Sequence, residues 1–303
     1  MKKVTLKDIA EHAGVSVAAV SYVLNNRTDQ KISIKTREKV LEVAYELNYV
    51  PNIAARTLAN RKSSLIGIVI VISDNEDPWE KFLYTDFVRE LEKVMSKNNY
   101  DVIVSTISVS KPQIDIISKR ELEGVFLINV KGDMFYKLST KISAPLVVVD
   151  SLIQDNYFYK ITWNFSKAIA SIKKNYDRED IFLVTSKFNN KEFMEYVRND
   201  FNQELVYEVD STTGLSNFLE KNKDRKGIII NEFIGDIASR FIDNKNICVI
   251  TICGSEYLLA KDIRTVIFSN KKKAVLAANQ LFKLIKEQYD DNTYIYVNHN
   301  KPK

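Results

Sequence analysis

The segment VTLKDIAEHAGVSVAAVSYVLNN, residues 4–26, decides the fold of the N-terminal part of the chain. Its first half places apolar side chains on one helix face and ends at Gly14, and its second half starts a new apolar stripe after Ser16. Because only Gly14 and Val15 separate the two halves, the segment predicts two helices that meet at a sharp angle. This arrangement is the helix-turn-helix motif.

A second pattern predicts a third helix and a short segment after it. SIKTREKVLEVAYELNY, residues 33–49, carries an apolar stripe, and Pro51 follows closely enough to end the helix. NIAARTLANRKSS, residues 52–64, has helical propensity but too few apolar side chains to be stable as an isolated helix. The sequence therefore predicts a three-helix head that a weakly helical segment joins to the rest of the chain.

The excess positive charge of the chain is confined to its first fifth. The net charge is +5, and residues 1–62 hold eleven Lys and Arg against six Asp and Glu, whereas the remainder is balanced. Such an asymmetry indicates a head that binds a polyanion, carried on a neutral body. A chance fluctuation on a solvated surface is the alternative at this point.

From Leu65 onward, apolar runs alternate with stretches of helical pattern. The runs include LIGIVIVI at residues 65–72 and GIIINE at residues 227–232. Strands of this kind are buried on both faces, as in parallel sheets flanked by helices. The sequence therefore predicts an α/β body in which about 240 residues form two lobes.

Several classes of protein find no support in the sequence. His12 and His299 are far apart, and Cys248 and Cys253 give neither a disulfide framework nor a CxxC motif, so we expect no metal site. A Walker loop, a GxSxG motif and a GxGxxG motif are absent, which leaves an enzyme and a bound cofactor without support. The longest apolar run is too short to cross a bilayer and the N-terminus has no signal-peptide pattern, so we expect a cytoplasmic protein with no membrane partner.

The N-terminal motifs resemble those of one family of regulators. VTLKDIAEHAGVSVAAVSYVLN, KTREKVLEVAYELNYVPNIAARTLA and LIGIVI lie in this order over residues 4–72. They resemble the head, hinge and first strand of the lactose-repressor/galactose-repressor (LacI/GalR) family of bacterial transcription regulators. The resemblance implies a sequence-specific DNA-binding regulator, most often a repressor, that binds a pseudo-palindromic double-stranded operator as a homodimer. It also implies a two-lobed, periplasmic-binding-protein-like body in which a small effector, such as a sugar or nucleoside, binds between the lobes and modulates DNA affinity.

The resemblance also sets the expected domain boundaries. The helix-turn-helix head covers residues 1–50, the hinge helix 51–62, and the effector-binding and dimerisation domain 63–303. The expected lobes are discontinuous, with the first at about 63–155 plus 270–290 and the second at about 156–265 plus 292–300.

Residue by residue, the resemblance places DNA contacts in the head. The base-reading positions fall on Val17, Ala18 and Tyr22. Small apolar side chains suit thymine methyl groups, and Tyr22 replaces the family's frequent arginine, so it cannot make that residue's bidentate contact to guanine. The positions that contact phosphate fall on Ser16, Ser21, Asn25, Ser33, Thr36 and Tyr49. Packing within the head is the alternative role for Val17, Ala18 and Tyr22.

The hinge motif AARTL implies further contacts in the minor groove. There Leu58 is expected to wedge between base steps, with Ala55 beside it and with Asn52 and Arg56 toward the backbone. An isolated hinge of this length is expected to become ordered only with DNA and its dimer mate, which makes it the natural link between lobe movement and operator affinity. The alternative is that Leu58 is an ordinary apolar residue of a linker.

The body departs from the family pattern where an effector would bind. The candidates for effector binding are Asp77, Trp79, Asp150, Trp163, Asn164 and Glu232. Sugar hydroxyls are held by Asp, Asn and Arg side chains, and several of the family's positions of this kind are replaced here. Three interpretations remain: an unusual, more aromatic ligand; a common sugar or nucleoside held by substitutes such as Asn164 and Glu232; or a protein partner or no effector. A small-molecule-binding module without DNA is a further alternative, which residues 1–62 argue against.

Overall fold

The N-terminal head consists of helices in the described part of the chain. The computed structural model describes residues 4–24, 31–47, 49, 63–74, 79–176 and 180–300. The head helices are α1 (Leu6–Ala13), α2 (Val17–Leu24) and α3 (Ile34–Glu46). The expected hinge helix, with Asn52, Ala55, Arg56 and Leu58, lies outside the described residues, as do Asn25 and Asp77.

Local chemistry fixes both ends of α1. The Thr5 N–H donates to the Asp8 carboxylate at 2.7 Å, and the Asp8 N–H donates to the Thr5 hydroxyl at 3.4 Å, which together form a capping box. Gly14 ends the helix with φ 65°, in the left-handed region that glycine adopts without steric cost. The chain therefore turns sharply and enters α2 three residues later.

One apolar cluster holds the head helices together. Ile9 of α1, Val20 of α2 and Val40 of α3 are each 0% exposed and lie in the same cluster. Full burial of such a side chain contributes roughly 1.5–3 kcal/mol, which is more than helix propensity supplies to helices this short. Packing of the predicted stripes therefore stabilises the helix-turn-helix arrangement.

Contacts divide the chain into two compact units, residues 1–62 and residues 63–303. The second unit is the body, and in the described residues it contains two parallel sheets. The first sheet, in spatial order, consists of β11 (Tyr294–Val297), β5 (Tyr159–Trp163), β4 (Leu146–Val149), β3 (Gly124–Ile128), β1 (Leu65–Ile72) and β2 (Asp101–Ser108). The second sheet consists of β10 (Arg264–Ile267), β9 (Ile247–Thr251), β8 (Lys226–Ile230), β6 (Ile181–Thr185) and β7 (Val206–Glu208).

Helices cover both faces of each sheet. On the first sheet, α4 (Thr85–Lys97) and α11 (Asn270–Ile285) share one apolar cluster, and α5 (Asp115–Ser118) and α6 (Gly132–Ser139) share the other. On the second sheet, α7 (Phe165–Lys173) and α8 (Lys191–Arg198) lie on one face, and α9 (Thr212–Lys221) and α10 (Glu232–Ala238) on the other. Burial on both faces explains the continuous apolar runs of the central strands. None of the helices in the described ranges is both long and apolar enough to cross a membrane.

The lobes differ from the expected boundaries at two strands. The sequence-based boundaries assign β5 and β11 to the second lobe, but the structure places both in the first sheet. β5 pairs with β4 through Val147 and Tyr159, and β11 pairs with β5. An apolar run marks a buried strand but does not identify its sheet, because the run itself does not specify which strand it pairs with.

The chain crosses between the two sheets at three places within the described residues. It crosses at Asn164 between β5 and α7, at Ser269 between β10 and α11, and after β11. The crossings are hydrogen-bonded: the Asn164 N–H donates to the Val297 carbonyl at 2.9 Å, and the Asn300 N–H donates to the Ile267 carbonyl at 2.9 Å. We call the half of the body that contains the first sheet the first lobe and the other half the second lobe.

Candidate functional site

Helix α2 turns one face into the head and the other toward solvent. Val20 and Val23 are buried in the head cluster, whereas Val17 is 45% exposed and Ala18 is also exposed. This exposure argues against the alternative in which Val17 and Ala18 only pack within the head. Tyr22 is half-buried, so part of its side chain is accessible. The helix therefore offers a small apolar surface of the kind that can contact thymine methyl groups.

Three of the predicted phosphate-contact residues, Ser16, Ser33 and Thr36, lie at helix starts. The Ala19 N–H donates to the Ser16 hydroxyl at 3.1 Å, and the Thr36 N–H donates to the Ser33 hydroxyl at 3.1 Å. The hydroxyls of Ser33 and Thr36 are 2.8 Å apart at the N-terminus of α3. The Ser16 hydroxyl still has its own hydrogen to donate, whereas one of the Ser33 and Thr36 hydroxyls donates to the other; a helix N-terminus also attracts anions.

The other predicted phosphate contacts in the described residues are less exposed. Ser21 is half-buried, and Tyr49 packs against the head cluster while its N–H donates to the Ala44 carbonyl at 2.9 Å. Exposed lysines of the head, which sequence reasoning counted but did not place, are Lys7, Lys31, Lys35 and Lys39. Lysines of this kind attract a polyanion at long range, and helix α2 carries no lysine or arginine of its own.

In the body, two of the predicted effector residues contact a buried lysine. The Lys273 ammonium, on the first turn of α11, forms an ion pair with Asp150, and the two side chains are 1% and 2% exposed. The same ammonium lies 4.1 Å from the centroid of the Trp163 ring. The Thr162 hydroxyl donates to Asp150 Oδ1 at 3.1 Å. Burial lowers the pKa of Lys273, and the neighbouring Asp150 opposes this shift.

The Glu232 carboxylate accepts hydrogen bonds from the backbone, and its role in holding ligand hydroxyls stays a prediction. Its carboxylate accepts N–H bonds from Ile252 at 2.9 Å, Cys253 at 3.0 Å and Ser255 at 2.8 Å, and the residue is 0% exposed. Asn231 caps α10, which directs Glu232 toward the loop after β9. A buried polar group with satisfied partners offers little to a ligand.

Trp79 and Asn164 are likewise engaged within the protein. Trp79 is 5% exposed and joins the apolar cluster of the second lobe that includes Ile234 and Val249, rather than facing an open cleft. Asn164 is half-buried, caps α7, and donates from Nδ2 to Asn298 Oδ1 at 3.0 Å. These side chains, with Asp150, Trp163 and Glu232, are therefore engaged within the protein, and their contact with an effector stays a prediction.

A pair of asparagines that sequence reasoning did not single out joins the two lobes. The Asn189 N–H donates to Asn129 Oδ1 at 2.9 Å, and its side-chain amide donates to the Val71 carbonyl at 3.0 Å. Ser73 also donates to Asn189 Oδ1 at 3.2 Å. The signal in the sequence is the Asn-Asn pair before a helical stretch, which is typical of an N-cap.

Asn190, the second member of the pair, is 0% exposed. It caps α8 by accepting from the Phe193 N–H at 2.8 Å. It also accepts from the Leu152 N–H at 3.0 Å and donates to the Val130 carbonyl at 3.2 Å, both in the first lobe. Each cross-lobe bond of this kind contributes about 1 kcal/mol. The asparagine pair therefore stabilises the arrangement in which the two lobes are in contact.

A cavity of about 360 Å³ lies at the carboxyl ends of β1, β2 and β3. Its polar lining groups include Ser73, Glu80, Tyr84, Thr106, Asn129 and Lys187. Crevices at the carboxyl ends of parallel strands are the usual ligand sites of α/β proteins. In the part of the chain that the structure describes, no group of three or more His, Cys, Asp or Glu side chains could hold a metal ion.

A helix-turn-helix head followed by a two-lobed α/β body with parallel sheets defines the class of DNA-binding transcriptional regulators. Residues 5–52 match the family model described as bacterial regulatory proteins, lacI family. The match covers the head, so residues 5–52 resemble the DNA-binding part of this family, and the chain is a transcriptional regulator.

Individual relatives agree with this assignment. The chain is 27% identical to the HTH-type transcriptional regulator RegA of Clostridium saccharobutylicum over 74% of this chain and 73% of that protein. It is 30% identical to catabolite control protein A of Staphylococcus xylosus, over 57% of this chain and about half (51%) of that protein. The crystal structure of the lac repressor dimer bound to operator and the anti-inducer ONPF has a TM-score of 0.73 at 19% identity, covering 100% of this chain and 98% of that chain. The likeness to the lac repressor shows the fold.

Proposed function

We propose that the protein binds a pseudo-palindromic DNA operator as a homodimer and represses transcription there. The observation that carries the proposal is the exposed face of α2, with Val17 and Ala18 in solvent while Val20 is buried. The N-terminal residues of a second helix in this motif contact base edges in the major groove. The lac repressor dimer, whose fold this chain shares, was crystallised on its operator.

Two sets of groups in the head bind DNA in this proposal, one to the phosphates and one to the bases. Exposed lysines such as Lys7 and Lys35 attract the phosphates, and the hydroxyls of Ser16, Ser33 and Thr36 fix the register. Val17 and Ala18 then contact thymine methyl groups, and Tyr22 accepts more than one base because it has no guanidinium to bind guanine bidentately. Asn25, Tyr49 and Ser21 remain proposed phosphate contacts.

The hinge remains a proposal from the sequence. Leu58, with Ala55, Asn52 and Arg56, would widen the minor groove at the centre of the operator and bend the duplex. A wedge at that position requires two hinges side by side, which is the reason for proposing a homodimer. It would also make operator affinity depend on the distance between the two hinge roots.

Selection of binding sites from random double-stranded DNA tests this proposal. We expect an inverted repeat whose half-sites lie about 34 Å apart, with thymines facing Val17 and Ala18 and no required guanine facing Tyr22. The matched variant Tyr22→Arg should shift the selected base at that position to guanine, since arginine binds guanine O6 and N7 bidentately. Recovery of unenriched DNA, or of a required guanine with the wild-type chain, would contradict the proposed readout.

A second part of the proposal is that a small ligand modulates operator affinity from the 360 Å³ cavity. Ser73 and Asn129 line this cavity and also hold Asn189 of the other lobe. A ligand that hydrogen-bonds to them therefore competes with the cross-lobe bonds and favours separated lobes. A ligand can shift such an equilibrium only by its difference in affinity for the two arrangements.

A thermal-shift screen of sugars, sugar phosphates, nucleosides and purines tests the ligand site. We expect one of these classes to give a saturable shift, which Thr106→Leu removes by filling the cavity and Thr106→Ser retains. A shift that Thr106→Leu leaves unchanged would place the ligand elsewhere. Complete absence of shifts would remove the ligand from the proposal and leave operator binding untouched.

A further inference from the structure

Lys273 lies where the two lobes meet. Its helix, α11, starts immediately after the crossing at Ser269. The side chain reaches Asp150, which follows β4, and Trp163, which ends β5, so it lies at the carboxyl edge of the first sheet. Ligands of open α/β sheets bind outside this edge.

The groups around the Lys273 ammonium are those of a site for an organic cation. The carboxylate of Asp150 supplies the opposite charge, and the Thr162 hydroxyl satisfies its other oxygen at 3.1 Å. The ring centroids of Trp163 and Phe87 lie 4.1 Å and 5.0 Å from Nζ. Aromatic faces attract ammonium groups most strongly when water is excluded, and Lys273 is 1% exposed.

The second lobe contacts one side of this site, the Trp163 ring. The Phe268 ring, immediately after β10, lies 4.9 Å from the Trp163 ring between centroids. Phe268 is 2% exposed and also contacts the Phe165 ring of α7 at 5.6 Å. The Trp163 ring, which contacts the Lys273 ammonium, therefore packs against the core of the second lobe.

We infer that the cleft contains a site for a primary alkylammonium ion and that the chain's own Lys273 side chain occupies it. Asp150 and Trp163 therefore bind an internal cation in place of an external ligand. The lobes meet around this cation without a small molecule, and the 360 Å³ cavity beside it is a separate space lined by other groups. The inference concerns the body alone, and its test uses no DNA, so it stands or falls separately from operator binding.

Removal of the lysine side chain should convert the internal site into an external one. Lys273→Ala deletes Cγ, Cδ, Cε and Nζ, which together have the shape and charge of n-propylammonium. We expect the melting temperature to fall by on the order of 10 °C, because the buried Asp150 carboxylate loses its partner. n-Propylammonium should restore roughly half or more of that loss in a saturable way, as a ligand of the folded state does.

Three comparisons give this experiment its controls. n-Propanol has nearly the same shape without the charge and should restore much less than n-propylammonium. Lys272→Ala removes an exposed lysine one residue earlier and should neither lower the melting temperature nor respond to the amine. Trp163 and Trp79 are the two tryptophans of the chain, so in a Trp79→Phe background the fluorescence of Trp163 reports the amine directly.

The outcomes separate a cation site from simple packing. Equal rescue by n-propanol, no rescue by n-propylammonium, or an equal response of the Lys272→Ala variant would each overturn the inference. If Lys273→Ala does not fold by itself, dilution from denaturant with either compound provides the same comparison through the yield of folded protein. A higher yield with n-propylammonium alone supports the site, and equal yields overturn it.

Discussion

Replacement of Glu232 by alanine is expected to destabilise the body by roughly 3 kcal/mol or more. The carboxylate accepts N–H bonds from Ile252, Cys253 and Ser255, and Glu232 is 0% exposed. Alanine leaves these donors without their acceptor in a place that water reaches poorly, and each such group costs about 1–3 kcal/mol. Guanidinium chloride unfolding of the full chain measures the loss as a lower midpoint at unchanged slope.

Two variants control this prediction. Glu232→Gln keeps the size and one acceptor oxygen, so it should lower the free energy of unfolding less than Glu232→Ala does. Glu256→Ala removes an exposed carboxylate nearby and should stay within about 0.5 kcal/mol of the wild type. Wild-type stability in Glu232→Ala would mean that the carboxylate is not holding the loop, and would favour its expected effector-binding role.

Introduction of a negative charge on the exposed face of α2 is expected to abolish operator binding. Ala18→Glu places a carboxylate against the phosphates and base edges of the major groove, and we expect a loss of about 100-fold or more, which corresponds to about 2.7 kcal/mol. Ala18 is exposed and glutamate is a good helix former, so the head should remain folded.

The matched control is Tyr45→Glu, which adds the same charge to the last turn of α3. Tyr45 is 86% exposed and lies nine residues beyond Thr36, or about 13 Å along the helix. We expect Tyr45→Glu to weaken binding only slightly through net charge. Equal losses in the two variants would mean that α2 is not the helix that contacts DNA.

Local patterns were sufficient to predict the head. Thr5, Gly14 and the apolar stripes of α1, α2 and α3 determine where the helices begin, end and pack, because these features act within a few residues. The parallel strands were also evident from their uninterrupted apolar runs. The lobe to which β5 and β11 belong was not evident, because an apolar run does not specify its pairing partner, which is close in sequence for β5 (Val147 with Tyr159) and distant for β11 (Lys160 with Tyr294).

In the body, residue type alone does not identify which side chains are available to a ligand. Asp150, Trp163 and Glu232 have the chemistry of ligand-binding groups, but the chain's own ammonium and N–H groups already occupy them. One signal was available: Ala274, Ala277 and Leu281 form the buried stripe of α11, and helical periodicity extends this stripe to Lys273. In the run of lysines at 271–273, only periodicity separates the buried residue from its exposed neighbours.

Sequence-specific binding to the operator is tested by a fluorescence-anisotropy titration of the selected operator with the intact wild-type chain over a series of salt concentrations. We predict a logarithm of the association constant that falls steeply and linearly with the logarithm of salt concentration, because binding releases counterions from several phosphates. At each salt concentration, the operator should bind more tightly than a scrambled duplex of the same composition. Equal affinity for the two duplexes, or affinity that does not change with salt, would show that the protein is not a sequence-specific operator-binding regulator.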